Sequence, residues 1–175
     1  MVKKIEKIII SEFDIKKRIS EMVFEIAQKY KDKEVVIISI LKGSFMFLAD
    51  LVRNFYIHEI HPIIDFTIAA SYGDSRESSG VVRLERDINT PIKGKEVILI
   101  DDILDTGRTL NLLKDCLRNK NPKSIETCVL LDKPSRRVID VEADYVGFEI
   151  EDFFVVGYGM DYNNKYRELP FIGVL

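Results

Sequence analysis

The sequence predicts an α/β fold: a central, mostly parallel sheet flanked by helices, with a small β-rich subdomain towards the C-terminus. Three observations carry this prediction. Val97–Ile100 is a continuous apolar run, the pattern of a strand covered on both faces, and the largely apolar segments Val35–Ile40 and Ile125–Leu131 read as further strands. Segments with helical spacing alternate with them, the rhythm of a parallel sheet with helical crossovers. Beyond Asp132 the helical periodicity ceases and short extended pieces take its place.

Taken in order, Ser11-Glu12-Phe13-Asp14 reads as a helix start, with Ile15, Ile19, Met22, Val23, Ile26 and Tyr30 marking one apolar face of the helix that follows. Val35–Ile40 is a buried strand, Ser44–Phe55 a helix and Ile63–Ala70 the next strand. The polar, glycine-bounded stretch from Tyr72 to Gly80 is a loop, and Val81–Glu85 follows it as a strand. The strand at Val97–Ile100 is expected to stop at Asp101. Leu110, Leu113 and Leu117 then repeat at helical spacing within a helix near Arg108–Asn119, and Ile125–Leu131 closes the alternation. Tyr145–Phe148 and Phe154–Val156 are assigned to the small β-rich subdomain.

A chain of 175 residues, 46% hydrophobic and 31% charged, suffices for one domain with a core of its own. A formal net charge of -3 and a pI near 5.5 give no overall basic footprint, so no nucleic-acid partner is expected and electrostatics favour a small ligand bound locally. Cys116 and Cys128 form neither a disulfide scaffold nor a zinc cluster. No segment approaches the ~20 apolar residues of a membrane helix, and the first ten residues are too short an apolar stretch for a signal peptide, which points to the cytoplasm and away from a membrane. His58 and His61 read as turn histidines, and Lys133-Pro134-Ser135-Arg136-Arg137 as a solvated basic loop. Neither GxxxxGK[ST] nor GxGxxG occurs, so P-loop hydrolysis and dinucleotide chemistry lack their phosphate geometry.

Chemistry concentrates between Val97 and Leu110. Asp101 and Asp102 lie at the carboxyl end of a central strand, where open α/β sheets bind ligands. Immediately afterwards Asp105, Thr106, Gly107, Arg108 and Thr109 combine two threonine hydroxyls, a permissive glycine and the backbone amides of a helix start, which together make an anion cradle. The plainer alternative is that Asp105 or Thr106 merely caps the helix.

This segment resembles the phosphoribosyl-pyrophosphate signature of type I phosphoribosyltransferases, in which two acids precede an Asp/Thr/Gly/Thr phosphate loop. Further matches are Leu41-Lys42-Gly43, Ser71-Tyr72-Gly73, Asp132-Lys133-Pro134, the run from Phe154 to Tyr162, and Lys165-Tyr166-Arg167. Together they resemble the hypoxanthine-guanine phosphoribosyltransferases in their short bacterial form, in order along nearly the whole chain. The resemblance implies the type I phosphoribosyltransferase fold as a single domain over 1–175, a hood over the base made mainly by residues 133–175 with the N-terminal segment, and a mobile lid over residues 72–80.

The activity it implies is transfer of 5-phosphoribosyl from phosphoribosyl pyrophosphate to a ring nitrogen of hypoxanthine or guanine, giving IMP or GMP and pyrophosphate. A xanthine-preferring phosphoribosyltransferase and a same-fold regulator that binds phosphoribosyl pyrophosphate and nucleic acid stay open as alternatives. By the same resemblance Asp105, Thr106, Gly107 and Thr109 hold the 5-phosphate, with Arg108 beside it, and Asp105 also takes the proton of the incoming base. Lys42, Gly43, Ser71, Tyr72 and Arg167 face pyrophosphate, through a Leu41–Lys42 peptide that can be cis in the family. Lys133 reads the exocyclic oxygen of a 6-oxopurine, Phe154 stacks on the ring and the Val155 backbone meets its edge. Asp101, Asp102 and Asp161 are implied ligands of Mg2+, and a homodimer or homotetramer is the implied assembly.

Overall fold

The computed structural model describes residues 4–72 and 81–175; of the loop expected over 72–80, residues 73–80 therefore lie outside the described residues. Strand β2 (Val35–Leu41) lies at the centre of a six-stranded sheet with β3 (Ile63–Tyr72), β4 (Val81–Arg86), β5 (Glu96–Leu104), β6 (Ser124–Asp132) and β7 (Tyr145–Glu149), in the order β4-β3-β2-β5-β6-β7. All neighbours are parallel except β3 and β4. A second, three-stranded antiparallel sheet joins β1 (Lys7–Ile10), β9 (Ile172–Val174) and β8 (Val155–Val156).

The central strands are buried on both faces because each contributes alternate residues to two different cores. Val35 and Ile37 of β2, Ile98 and Ile100 of β5, and Cys128 and Leu130 of β6 face one cluster, completed by α1 (Glu12–Tyr30) and α2 (Phe45–Phe55). Val36, Ile38 and Ile40, with Val97, Leu99 and Val129, face the other, where α3 (Arg108–Arg118) supplies Leu110, Leu113 and Leu117. Ile15, Ile19, Met22, Val23, Ile26 and Tyr30 of α1 are all buried, and Ser11 caps that helix by accepting from the Asp14 amide. Val155, Tyr158, Met160 and Ile172 belong to the same cluster as α1 and α2, so the smaller sheet packs into the main core. No helix among the described residues is long and apolar enough to cross a membrane.

Two expectations need correction. Strand β5 does not stop at Asp101; it continues to Leu104, because Asp101, Ile103 and Leu104 keep their parallel register with Val129, Leu131 and Asp132 of β6. The acid pair therefore lies inside a strand, ahead of its end. Tyr145–Phe148 does not belong to the small sheet either. It forms β7 at the edge of the main sheet, in parallel register with Cys128 to Asp132, and Arg18 of α1 donates to its Val146 and Gly147 carbonyls.

The connection from β4 to β5 is fixed by a buried carboxylate. Asp65 accepts from the amides of Phe66 at 2.7 Å, Asn89 at 2.8 Å and Thr90 at 2.7 Å. Burial alone raises its pKa, but the amides of Thr90, Phe66 and Asn89 outweigh burial and hold the carboxyl below its ordinary value. A depressed folded-state pKa contributes stability above the unfolded value and loses it as pH falls through the folded value. Asp65→Asn is accordingly expected to destabilise the protein at neutral pH, with the difference from wild type narrowing as pH drops below about 4 in urea unfolding.

Candidate active site

The carboxyl ends of β2 and β5 open into a cavity of about 600 Å³. Lys42 and Gly43 follow β2, and the Leu41–Lys42 peptide is cis. Opposite them Asp101 and Asp102 project from β5, the Asp102 amide donating to Asp101 Oδ1 at 3.0 Å. Burial pushes both carboxyls above the usual carboxylate range. Asp101 rises further because the Asp102 carboxylate lies beside it, whereas hydrogen bonding from Asp101 and the backbone, together with the charge of Arg167, restrains Asp102.

Backbone proximity accounts for the glycine at 43. A Cβ there would overlap the Asp102 carboxylate, and a Cβ on Gly159, whose φ is +99°, would overlap the Gly43 carbonyl. Gly159 belongs to the turn after β8, and Tyr158 in that turn donates its hydroxyl to Asp50 of α2. The Gly159 carbonyl accepts from Arg167 at 2.6 Å, and Arg167 pairs with Asp161 at 2.6 Å, while the Asn164 amide also donates to Asp161. Lys42, Gly43, Asp161 and Arg167 thus share one wall of the cavity.

On the other wall, residues 105–109 wrap around the start of α3. The N-cap of α3 is Gly107, with φ +85°, and the helix start carries no side-chain cap. Neither Asp105 nor Thr106 caps it, so the plainer reading of this segment fails, and the first-turn amides lack a side-chain acceptor. Arg137 fixes the backbone of this turn, donating to the carbonyls of Leu104 and Asp105 while pairing with Asp132. The amides of Val138 and Ile139 both donate to the Thr106 carbonyl. Leu104 in turn accepts from the Lys133 amide.

Asp105, Thr106, Gly107, Arg108, Thr109 and Phe154 all line the cavity. Phe154 is half exposed there and meets Tyr162 edge-on at 5.7 Å. Lys133 and Val155 are buried and are not on the cavity wall: the Lys133 ammonium donates to the Phe153 carbonyl at 2.5 Å, and Val155 pairs with Val174. Ser71 and Tyr72 end β3 in register with Val82 and Val81. His58 lies elsewhere, edge-on to Phe24. Among the described residues no three His, Cys, Asp or Glu side chains converge into a complete metal cage. The adjacent, desolvated carboxyls of Asp101 and Asp102 nevertheless suit a hard divalent ion that keeps most of its waters, because such an ion needs only one or two carboxylates from the protein.

This arrangement coincides with a match to the family model for the phosphoribosyl transferase domain over residues 3–163. Hypoxanthine-guanine phosphoribosyltransferase of Bacillus subtilis (strain 168) is 44% identical over 171 residues, spanning 98% of this chain and 93% of that protein. Hypoxanthine phosphoribosyltransferase of Salmonella typhimurium is 45% identical over 170 residues, spanning 95% and 93%. A crystal structure of a Bacillus anthracis hypoxanthine-guanine phosphoribosyltransferase, with a HEPES molecule in its active site, superposes with a TM-score of 0.91 at 45% identity, covering 98% of this chain and 99% of that one. The chain belongs to the hypoxanthine-guanine phosphoribosyltransferase family.

Arg136 is the cavity residue that sequence reasoning set aside within the basic loop. Its guanidinium lines the cavity, with Nε 3.3 Å from Asp105 Oδ1. The signal available in the sequence was position, since Arg136 follows the carboxyl end of a central strand by a few residues, where ligands bind. The tight packing at Gly43 also makes a structural prediction. Gly43→Ala should displace the Asp102 carboxylate and destabilise the fold by about 1–3 kcal/mol, read from denaturant unfolding, as overpacking does at a filled site.

Proposed function

We infer that this chain is a purine-salvage enzyme that transfers the 5-phosphoribosyl group of phosphoribosyl pyrophosphate to a ring nitrogen of hypoxanthine or guanine. The observation that carries this reading is the pairing, across one cavity, of an uncapped helix start with the Lys42–Gly43 and Arg167 wall. One side suits a phosphate monoester and the other a departing pyrophosphate, and the acid pair Asp101 and Asp102 lines the same cavity. In the reaction the bond from ribose C1′ to pyrophosphate oxygen breaks and the bond from C1′ to the base nitrogen forms. The proton of that nitrogen passes to Asp105.

Backbone amides and the hydroxyls of Thr106 and Thr109 anchor the 5-phosphate, using the positive end of the α3 dipole. Lys42, the Gly43 amide and Arg167 receive negative charge as pyrophosphate leaves, which is where electrostatic stabilisation acts. Asp101, Asp102 and Asp161 would hold a Mg2+ ion, which would supply further charge neutralisation for that leaving group. Asp101 and Asp102 also accept hydrogen bonds from the ribose hydroxyls. Ser71 and Tyr72 are assigned to the pyrophosphate side by resemblance alone.

Lys133 has three ammonium donors, and the Phe153 carbonyl uses one. The remaining donors suit the exocyclic oxygen of a 6-oxopurine. Adenine presents an amino group at that position and offers those donors no acceptor, the kind of loss that discriminates strongly. Phe154 stacks on the ring, and the Val155 backbone meets its edge. The cytoplasm and assembly as a homodimer or homotetramer belong to the same reading; a related structure, of Trypanosoma cruzi hypoxanthine phosphoribosyl transferase, concerns the role of its C-terminal region on oligomeric state and activity.

The test is an assay of the purified protein with each natural nucleobase, phosphoribosyl pyrophosphate and Mg2+, following nucleotide formation. Hypoxanthine and guanine are expected to be converted, and adenine to react at least about 10²-fold less efficiently. Xanthine as the best substrate would correct the base assignment. No conversion of any 6-oxopurine would refute the reading.

A further inference from the structure

We propose that Arg136 is a positioning residue for base transfer, acting by holding the Asp105 carboxylate in the orientation that receives the proton of the purine. The inference rests on the function proposed above and extends it to a residue outside the matched motifs. Two adjacent arginines divide the work on the same turn. Arg137 is spent on backbone, donating to the Leu104 and Asp105 carbonyls and pairing with Asp132. Arg136 meets the Asp105 side chain itself, Nε to Oδ1 at 3.3 Å, and among the described residues it is the hydrogen-bond partner of that carboxylate.

The same Nε lies 3.6 Å from Asp152 Oδ1, and the Lys133 ammonium lies 3.8 Å from that oxygen. Asp105, Arg136, Asp152 and Lys133 therefore form a chain of alternating charge. It runs from the group proposed to take the proton to the group proposed to read the exocyclic oxygen. A carboxylate offers useful proton affinity only along its lone pairs, so proton transfer depends on its angle as well as its distance. With Asp105 backbone fixed by Arg137 and its side chain tethered by Arg136, one oxygen is engaged and the other is left for the base. Arg136 and Asp105 are each about two-fifths exposed, at 43% and 40%, so solvent screens the pair and its effect is modest.

A double-mutant cycle tests this directly, using wild type, Arg136→Gln, Asp105→Asn and the double variant, with Arg136→Lys as the conservative control. Turnover of hypoxanthine and the dissociation constant of phosphoribosyl pyrophosphate, measured calorimetrically with Mg2+, are the two readouts. Arg136→Gln is expected to lower kcat roughly fivefold, the size of an exposed charge pair, while donor binding changes less than about twofold. Arg136→Lys should recover most of the rate, and Arg136→Gln should have little further effect once Asp105 is Asn. Equal losses from Arg136→Gln in both backgrounds, or unchanged kcat, would overturn the inference while leaving the proposed function intact. Full turnover in Asp105→Asn would instead remove the proton-transfer assignment on which it rests.

Discussion

The site depends on how closely the backbone at Gly43 is packed. The Asp102 carboxylate occupies the space of a side chain on one side, and Gly159 leaves no room for one against the Gly43 carbonyl. Three segments distant in sequence therefore meet at one backbone: the end of β2, the acid pair of β5 and the turn after β8. The parallel neighbours β2 and β5 bring the first two together, and the Tyr158–Asp50 hydrogen bond ties the third to α2. A methyl group in this place separates groups that must act within a few ångströms of one another.

Charge in the cavity is organised locally, in a protein whose net charge is slightly negative. Two carboxyls are buried side by side with raised proton affinity, an arrangement that costs stability unless a cation or hydrogen-bond donors compensate. Arg167 is near enough to restrain Asp102, but its own hydrogen bonds go to the Gly159 carbonyl and Asp161. Facing this negative centre is a helix start whose amides lack a side-chain cap. On the proposed function, the two walls take opposite ends of one ligand, a sugar carrying phosphate at one end and pyrophosphate at the other. The Leu104, Asp105 and Thr106 carbonyls ahead of that helix start are held by Arg137 and by the Val138 and Ile139 amides.

Much of this was legible in the chain because the relevant signals are local. Apolar runs revealed the buried strands, and the Ile15 to Tyr30 periodicity revealed a helix face that is buried throughout. The order of acids, threonines and glycine between Asp101 and Thr109 marked a helix start that the structure places on the cavity wall. Properties set by pairing were not visible. The polar residues Asp101 and Asp102 look like the end of a strand, yet β5 continues past them because β6 still offers backbone partners. β7 reads like the short strands that follow it until its register with β6 is known. β1 is a lysine followed by only three isoleucines, a run too short to read as a strand alone, and it is recognised through its pairing with β9. Arg136 was hidden for a similar reason, since nothing in a run of basic residues distinguishes the arginine that meets Asp105 from the one that holds backbone.

The central claim is that the ester phosphate of a ribose nests on the amides at the start of α3 while pyrophosphate occupies the Lys42–Gly43 wall. Amide chemical shifts of the 15N-labelled protein, recorded with ribose 5-phosphate and with pyrophosphate in separate titrations, test it most directly. The account predicts that ribose 5-phosphate moves the amides of Thr106 to Leu110, and that pyrophosphate with Mg2+ moves Gly43 and the neighbours of Arg167. Saturable shifts from both ligands that leave those amides still, or that fall on the same single wall, would contradict it.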